Sequence, residues 1–188
     1  AASDVYKRQD DLKEGLDTIE SRSKGLIKFI DAYREYTSLP HPSFKTVHLK
    51  DLINKVENLM RNEIKKSNIA FTTTLDLDHL TVEADEQMIE QVLINLVKNA
   101  IEACQETQQA KIELKSRYVD ERVLIEVTDN GPGIIGEALD KVFVPFFSTK
   151  KSGSGIGLSL SRQIMQMHNG SLYVNSIPNV KTVFTLRF

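Results

Sequence analysis

The stretch that most restricts what this chain can become is Asp129-Asn130-Gly131-Pro132-Gly133-Ile134. Ahead of it, residues 123–128 (VLIEVT) alternate apolar and polar with period two, the pattern of a half-buried strand. That strand delivers the Asp129 carboxylate at its tip. Gly131 and Gly133 flank Pro132, so the backbone can bend sharply and approach a ligand, while the proline limits the shapes open to it. An ionised carboxylate accepts hydrogen bonds and donates none, so a buried one suits a donor such as the exocyclic amine of adenine. The plainer reading is an Asx turn between strand and helix.

A second glycine cluster, Gly153-Ser154-Gly155-Ile156-Gly157-Leu158, opens a segment in which Ile156, Leu158, Leu160, Ile164, Met165 and Met167 recur with helical spacing. The spacing predicts a helix running to about His168, stopped by Asn169-Gly170. Glycines at a helix N-terminus leave N–H groups free to point at an anion, and the helix dipole adds to the attraction. This is the chemistry of a phosphate cradle, and a flexible hinge is the plainer alternative.

Asp85 caps a helix predicted to reach about Gln105, with Met88, Ile89, Val92, Leu93, Leu96, Val97, Ala100, Ile101 and Cys104 as its buried stripe. Asn95 and Asn99 are four residues apart and share a face. Asn99 lies nearly two turns beyond Val92, at the stripe's edge, where a polar group needs a partner. An amide oxygen is a hard donor of the kind Mg²⁺ accepts. Two asparagines on a solvated flank are the plainer reading. Between the glycine clusters, residues 135–152 hold a short helical piece (137–142), an apolar run (142–147) and a Ser/Thr/Lys stretch. They read as a lid anchored by Phe146 and Phe147 and carrying Lys150 or Lys151 towards phosphates, although the phenylalanines also suit a plain core.

Taken in order, Asn95-Leu96-Val97-Lys98-Asn99-Ala100, residues 129–134, Pro145-Phe146-Phe147-Ser148-Thr149-Lys150 and residues 153–158 resemble the four boxes of the sensor histidine kinase ATP-binding domain. Its superfamily includes DNA gyrase, the Hsp90 chaperones and MutL. The resemblance covers roughly residues 45 to 188. It implies an α/β (α+β) two-layer sandwich, a mixed, mostly antiparallel sheet of about five strands covered by about three helices on one face. It implies ATP and Mg²⁺ as cofactors, Asn99 as the metal ligand, and Asn95 and Lys98 beside it as a catalytic set near the phosphates. Asp129 would hold adenine, and Gly131, Gly133 and Ile134 belong to the same nucleotide site. Phe146, Phe147, Lys150, Lys151, Gly153, Ser154, Gly155, Ile156, Gly157 and Leu158 would complete the nucleotide site. Glu102, one turn beyond Asn99, receives no role. The superfamily's ATPases place a water-activating glutamate where this chain has Asn95, and an amide cannot take a proton. Transfer to an imidazole on another domain is thereby favoured over hydrolysis. The implied partners are a histidine-bearing dimerisation domain and a response regulator. The alternatives are an anti-sigma-type kinase acting on Ser or Thr, and a module that senses ATP without transfer.

From Asp10 to about Ser38 the positions Leu12, Leu16, Ile19, Ser23, Leu26, Ile30, Tyr33 and Thr37 follow alternating steps of four and three. This predicts a long coiled-coil-like helix, suited to a homodimer seam or a helical hairpin, with packing onto its own domain as the alternative. By resemblance it is the second helix of a dimerisation and phosphotransfer domain. The first helix, with the phosphorylated histidine, is missing, since His41 sits between prolines in the linker Leu39-Pro40-His41-Pro42. Residues 1–42 are therefore expected to be a partial dimerisation helix and linker, and 43–188 the catalytic domain. Strands are predicted at 46–49, 69–75, 80–84, 111–118, 121–129, 171–176 and 180–188, and a helix at 50–66.

At 188 residues and 40% hydrophobic, the chain can bury one good core. The single cysteine, Cys104, forms no internal disulfide and suggests a reducing compartment. No apolar run approaches the roughly 18 residues that span a bilayer, and the N-terminus is too polar for a signal peptide. A soluble, cytoplasmic chain is expected, and because it starts at Ala1 and not Met a longer parent protein, with or without a membrane anchor, is left open. The net charge of −2 hides an asymmetry: residues 141–188 carry six basic and no acidic side chains, and residues 1–140 carry 18 basic and 26 acidic. A positive C-terminal stretch suits a polyphosphate or an acidic partner, and no aromatic-basic interleaving argues for nucleic acid. Gly131 to Gly136 matches G-x-G-x-x-G, but no acidic residue lies about 20 positions on to hold a ribose, which removes the Rossmann reading. There is no P-loop. The four histidines have no metal spacing and are expected at the surface or in turns.

Overall fold

The computed structural model describes residues 2–150 and 153–188. The elements run α1 (Ala2–Thr37), β1 (Lys45–His48), α2 (Leu49–Ser67), β2 (Ala70–Leu75), β3 (Thr81–Ala84), α3 (Glu86–Ala103), β4 (Lys111–Val119), β5 (Arg122–Asp129), α4 (Gly136–Leu139), α5 (Gly157–Met167), β6 (Ser171–Ile177) and β7 (Lys181–Arg187). Each predicted strand and long helix is present to within a few residues, except that α1 begins at Ala2 and not near Asp10.

The main sheet has the order β2-β4-β5-β7-β6, with β2 and β4 parallel and the other neighbours antiparallel. The expected mixed, mostly antiparallel, five-stranded sheet is what forms. Strand β3 leaves it and pairs with β1 in a separate two-stranded ribbon. The alternating pattern of β4 and β5 turns Ile112, Leu114, Ile125 and Val127 inward, and they meet the buried stripes of α2, α3 and α5. Helix α3 is central to this layer: Val92, Leu93, Leu96 and Val97 are fully buried.

The N-terminus of α3 is fixed from several directions. Asp85 accepts from the N–H groups of Gln87 (3.1 Å) and Met88 (3.2 Å) and from that of Ser43 (2.9 Å), so the linker is fastened to the same cap. The Asp85 N–H donates to His168 Nε2 at 3.0 Å, while His168 Nδ1 donates to the Ile164 carbonyl at 2.7 Å. His168 lies in the turn that ends α5 but not at the surface, its imidazole being buried between the end of α5 and the start of α3. His41, His48 and His79 are exposed. No described helix is long and apolar enough to cross a membrane.

Candidate functional site

Strand β5 ends on Asp129, which is 3% exposed. Its Oδ1 accepts from the Gly131 N–H at 2.9 Å, and no other hydrogen bond to this carboxyl group occurs among the described residues. Burial pushes its pKa above the ordinary value, and the Gly131 N–H opposes part of that rise. The second Asp129 oxygen accepts from no group among the described residues, and Asp129 lines the cavity described below, so a donor on a ligand there can reach it.

The turn after Asp129 is docked on the β6–β7 hairpin. Asn179 N–H donates to the Pro132 carbonyl at 2.9 Å, and Ile134 N–H donates to Ser176 Oγ at 2.8 Å. Gly133 has φ of 76°, and a Cβ there would come within 2.9 Å of Pro178 Cα, so this position needs glycine on two counts. Asn130 points elsewhere: its Oδ1 accepts from Lys111 N–H at 2.7 Å and its Nδ2 donates to the Gln109 carbonyl at 3.1 Å, fixing the start of β4.

On α3, Asn95 is half-buried against Gly157, and its Nδ2 donates to Ser161 Oγ at 3.0 Å, clamping α3 to α5. Asn99 Oδ1 accepts from Lys150 Nζ at 3.1 Å, and the same ammonium is paired with the Glu102 carboxylate. The segment before α5 is braced by Phe146 N–H, which donates to the Gly155 carbonyl at 2.9 Å. Gly155 has φ of 71°, and a Cβ there would meet the Phe146 carbonyl carbon at 2.6 Å, so no other residue fits.

Between these groups lies a cavity of about 970 Å³. It is lined by Asn95 and Asn99, by Asp129, Gly131, Gly133 and Ile134, and by Phe147, Lys150, Gly153, Ser154, Gly155, Gly157 and Leu158. The structure thus brings most of the sequence-predicted residues to one wall or another of a single space. Three are placed elsewhere. Lys98 is exposed on the far side of α3, 3.7 Å from Glu63 of α2, and is not among the lining residues, which corrects its expected position near the phosphates. Ile156 is core, 2% exposed, because the residue preceding the first turn of α5 points inward with Leu160. Phe146 turns away with φ of 66° and packs on Phe29 of α1, ring centroids 4.8 Å apart. Lys151 lies outside the described residues. The sequence reading passed over Thr182, which lines the cavity, is buried, and stands opposite Asp129 in the β5–β7 register. A threonine on a strand carries no signal until the register is known. Glu102 also lines the cavity, as its spacing from Asn99 allowed.

A two-layer sandwich whose cavity is lined by both a buried acceptor and a glycine-rich helix N-terminus suits a ligand that carries a donor and an anionic group. Residues 84–188 match the family described as histidine kinase-, DNA gyrase B- and HSP90-like ATPase, and the chain belongs to that family. It is 31% identical over 175 residues to the signal transduction histidine-protein kinase AtoS of Escherichia coli (strain K12), covering 93% of this chain and 28% of AtoS. The chain spans 28 to 34% of the length of the first curated relatives it matches. The catalytic domain of the histidine kinase ThkA superposes with a TM-score of 0.70 at 39% identity, over 78% of this chain and 95% of that one. ThkA in complex with the response regulator TrrA gives 0.74 at 33% identity, over 94% of this chain and 51% of the ThkA chain.

Proposed function

We propose that the cavity binds Mg-ATP and that this chain is the ATP-binding catalytic part of a two-component sensor histidine kinase, transferring the γ-phosphoryl group to a histidine on a dimerisation domain. The observation that carries the proposal is the buried Asp129 carboxylate, with one oxygen held by the Gly131 N–H and the other open to the cavity it shares with Asn99 and the glycine-rich start of α5. Asp129 would accept from the adenine amine, with Gly131, Gly133 and Ile134 shaping the turn around the base. The N–H groups of residues 153–157 and the dipole of α5 would hold phosphates, and Lys150, with Lys151, would neutralise them.

The donor set fits Mg²⁺: Asn99 Oδ1, a hard oxygen, already faces a cation, the Lys150 ammonium. When bound, the metal would be held on the protein side by Asn99 and would supply positive charge against the negative charge of the phosphates. The chain's own part is positioning. Asn95 Nδ2 is committed to Ser161, and its amide is no base, so the site lacks a group there to activate water. An acceptor imidazole brought in by another domain would meet a held, charge-compensated phosphoryl group. We divide the chain into a dimerisation helix and linker (1–42) and a catalytic domain (43–188). The partners proposed are a second copy through α1, the histidine-bearing dimerisation domain and a response regulator, the last supported by the ThkA complex. A cytoplasmic location follows from the need for ATP.

Incubation with γ-labelled ATP and Mg²⁺, with and without the dimerisation domain of the parent protein, tests this. Acid-labile phosphate is expected on that domain and none on the chain alone. Acid-stable phosphate would assign a Ser/Thr kinase, ADP binding without any transfer a sensing module, and acid-labile phosphate on the chain alone would overturn the division between acceptor and catalyst.

A further inference from the structure

Glu102 has no part in the reading above, yet it sits where that reading needs charge. It lines the cavity one turn beyond Asn99 on α3, so both side chains leave the same face of a helix whose other side is fully buried. Lys150 Nζ lies 3.1 Å from Asn99 Oδ1 and is paired with Glu102 Oε2. One point in space is therefore within bonding distance of two hard oxygens, one neutral and one anionic, and a cation already occupies it. Both charged side chains remain partly open to solvent, at 40% for Lys150 and 52% for Glu102, so that cation can be exchanged without opening the core.

We propose that Glu102 is a second protein ligand of the divalent cation and that Lys150 holds the cation's place until it arrives with the nucleotide. This rests on the nucleotide reading of the cavity. Magnesium is commonly held by one or two protein oxygens, with water and substrate phosphates completing its shell, so Asn99 and Glu102 suffice as the protein's share. An ammonium and a divalent ion cannot share one position. Entry of the metal therefore releases Lys150, whose residue lies in the segment leading to the Gly153–Gly157 loop, to meet the phosphates beside it. The same exchange explains a carboxylate in a site for a polyanion: without a cation between them Glu102 would repel the phosphates, so the nucleotide is favoured with its metal and disfavoured without it.

The test is Mn²⁺ affinity, read from the electron paramagnetic resonance signal of free Mn²⁺, on the full chain saturated with ADP. Glu102→Gln should weaken Mn²⁺ by at least about tenfold, as loss of a ligand does, and Glu102→Asp should recover part of it. Lys150→Met, which removes the competitor, should tighten Mn²⁺ binding in nucleotide-free protein, and the double variant should be no tighter than Glu102→Gln alone. ADP affinity in EDTA should not fall in Glu102→Gln. Mn²⁺ affinity unchanged in Glu102→Gln, or weakened in nucleotide-free Lys150→Met, would overturn the proposal and leave Glu102 a simple latch for the lysine. Failure of the unaltered chain to bind ADP at all would instead overturn the nucleotide reading. Both side chains are surface-accessible, so matched thermal melts separate loss of ligation from loss of fold.

Discussion

Asp129 shows how one residue can serve a site and weaken the fold that carries it. Its carboxyl pKa is raised by burial, so the folded state holds its proton to higher pH than the unfolded chain does. Where the folded pKa is raised, the associated stability is complete below the unfolded value and is lost as pH rises through the folded one. Asp129 therefore opposes folding at neutral pH. Asp129→Asn keeps an oxygen for the Gly131 N–H and removes the charge. We expect it to be at least as stable as the unaltered protein at pH 7 in urea melts, with the difference shrinking as pH falls towards the ordinary carboxylate range. Calorimetry with ADP should show a loss of at least about tenfold in affinity, the scale of one hydrogen bond to a charged group. An unchanged affinity would remove adenine from this end of the cavity. Asp129 was legible because a period-two strand pointed at it. Lys98 was misread because a box of residues was carried over whole: adjacent residues on a helix differ by about 100° in direction, so a lysine next to Asn99 need not share its outlook. Ile156 was misread for a related reason, since the apolar residue between two glycines served the core and not the loop.

At the scale of elements, the join between α3 and α5 sets the site's geometry, because Asn99 rides on one helix and the glycine loop opens the other. Their ends meet where the Asp85 N–H donates to His168, and the Asp85 carboxylate caps α3 at the same point. Asp85 is kept below the ordinary carboxylate range chiefly by the Ser43 N–H, and also by the N–H groups of Met88 and Gln87. A lowered folded pKa has the opposite sign to that of Asp129: its stabilisation is present above the unfolded value and lost as pH falls through the folded one. Asp85→Ala should cost about 1–2 kcal/mol at pH 7, the range for an N-cap, and progressively less in acid, by urea denaturation at several pH values. His168→Ala should cost about 1–3 kcal/mol, because it strands the Asp85 N–H in a buried join, while the Ile164 carbonyl keeps the backbone N–H of residue 168, and hydrogen exchange should quicken at the start of α3 and the end of α5. The helices and strands themselves were readable from period and caps. Which strands became neighbours was not: nothing local in residues 70–75 states that they pair in parallel with 111–116, or that 81–84 abandons that sheet for 45–48. Those choices are made by the helices that must be covered.

For the whole molecule the open question is what covers α1. Leu16, Ile19, Leu26, Ile30 and Tyr33, all on the predicted seam, are 40 to 64% exposed, while Gly15 and Gly25 each cost the helix about 1 kcal/mol. A helix so weakened, with an apolar stripe in water, gains most from a partner presenting the same stripe, and a two-fold pairing satisfies both copies at once. Some contacts run the other way: Tyr36 and Leu39 pack against the core, and Phe29 meets Phe146 at the root of the segment that carries Lys150. Helix α1 thus has one exposed apolar stripe and one ring in contact with Phe146, which precedes Lys150 in the same segment. Sedimentation equilibrium should find the full chain dimeric at tens of micromolar, with helical ellipticity rising as concentration rises. A chain shortened to residues 43–188 should be monomeric, unfold cooperatively a few degrees lower for want of Tyr36 and Leu39, and bind ADP within about threefold of the full chain, since the cavity is built from residues 95–184. Ile19→Asp in the full chain should abolish the dimer yet leave its melting of the catalytic domain unchanged. A full chain that stays monomeric at every concentration, with α1 still helical, would mean that α1 is covered by its own domain.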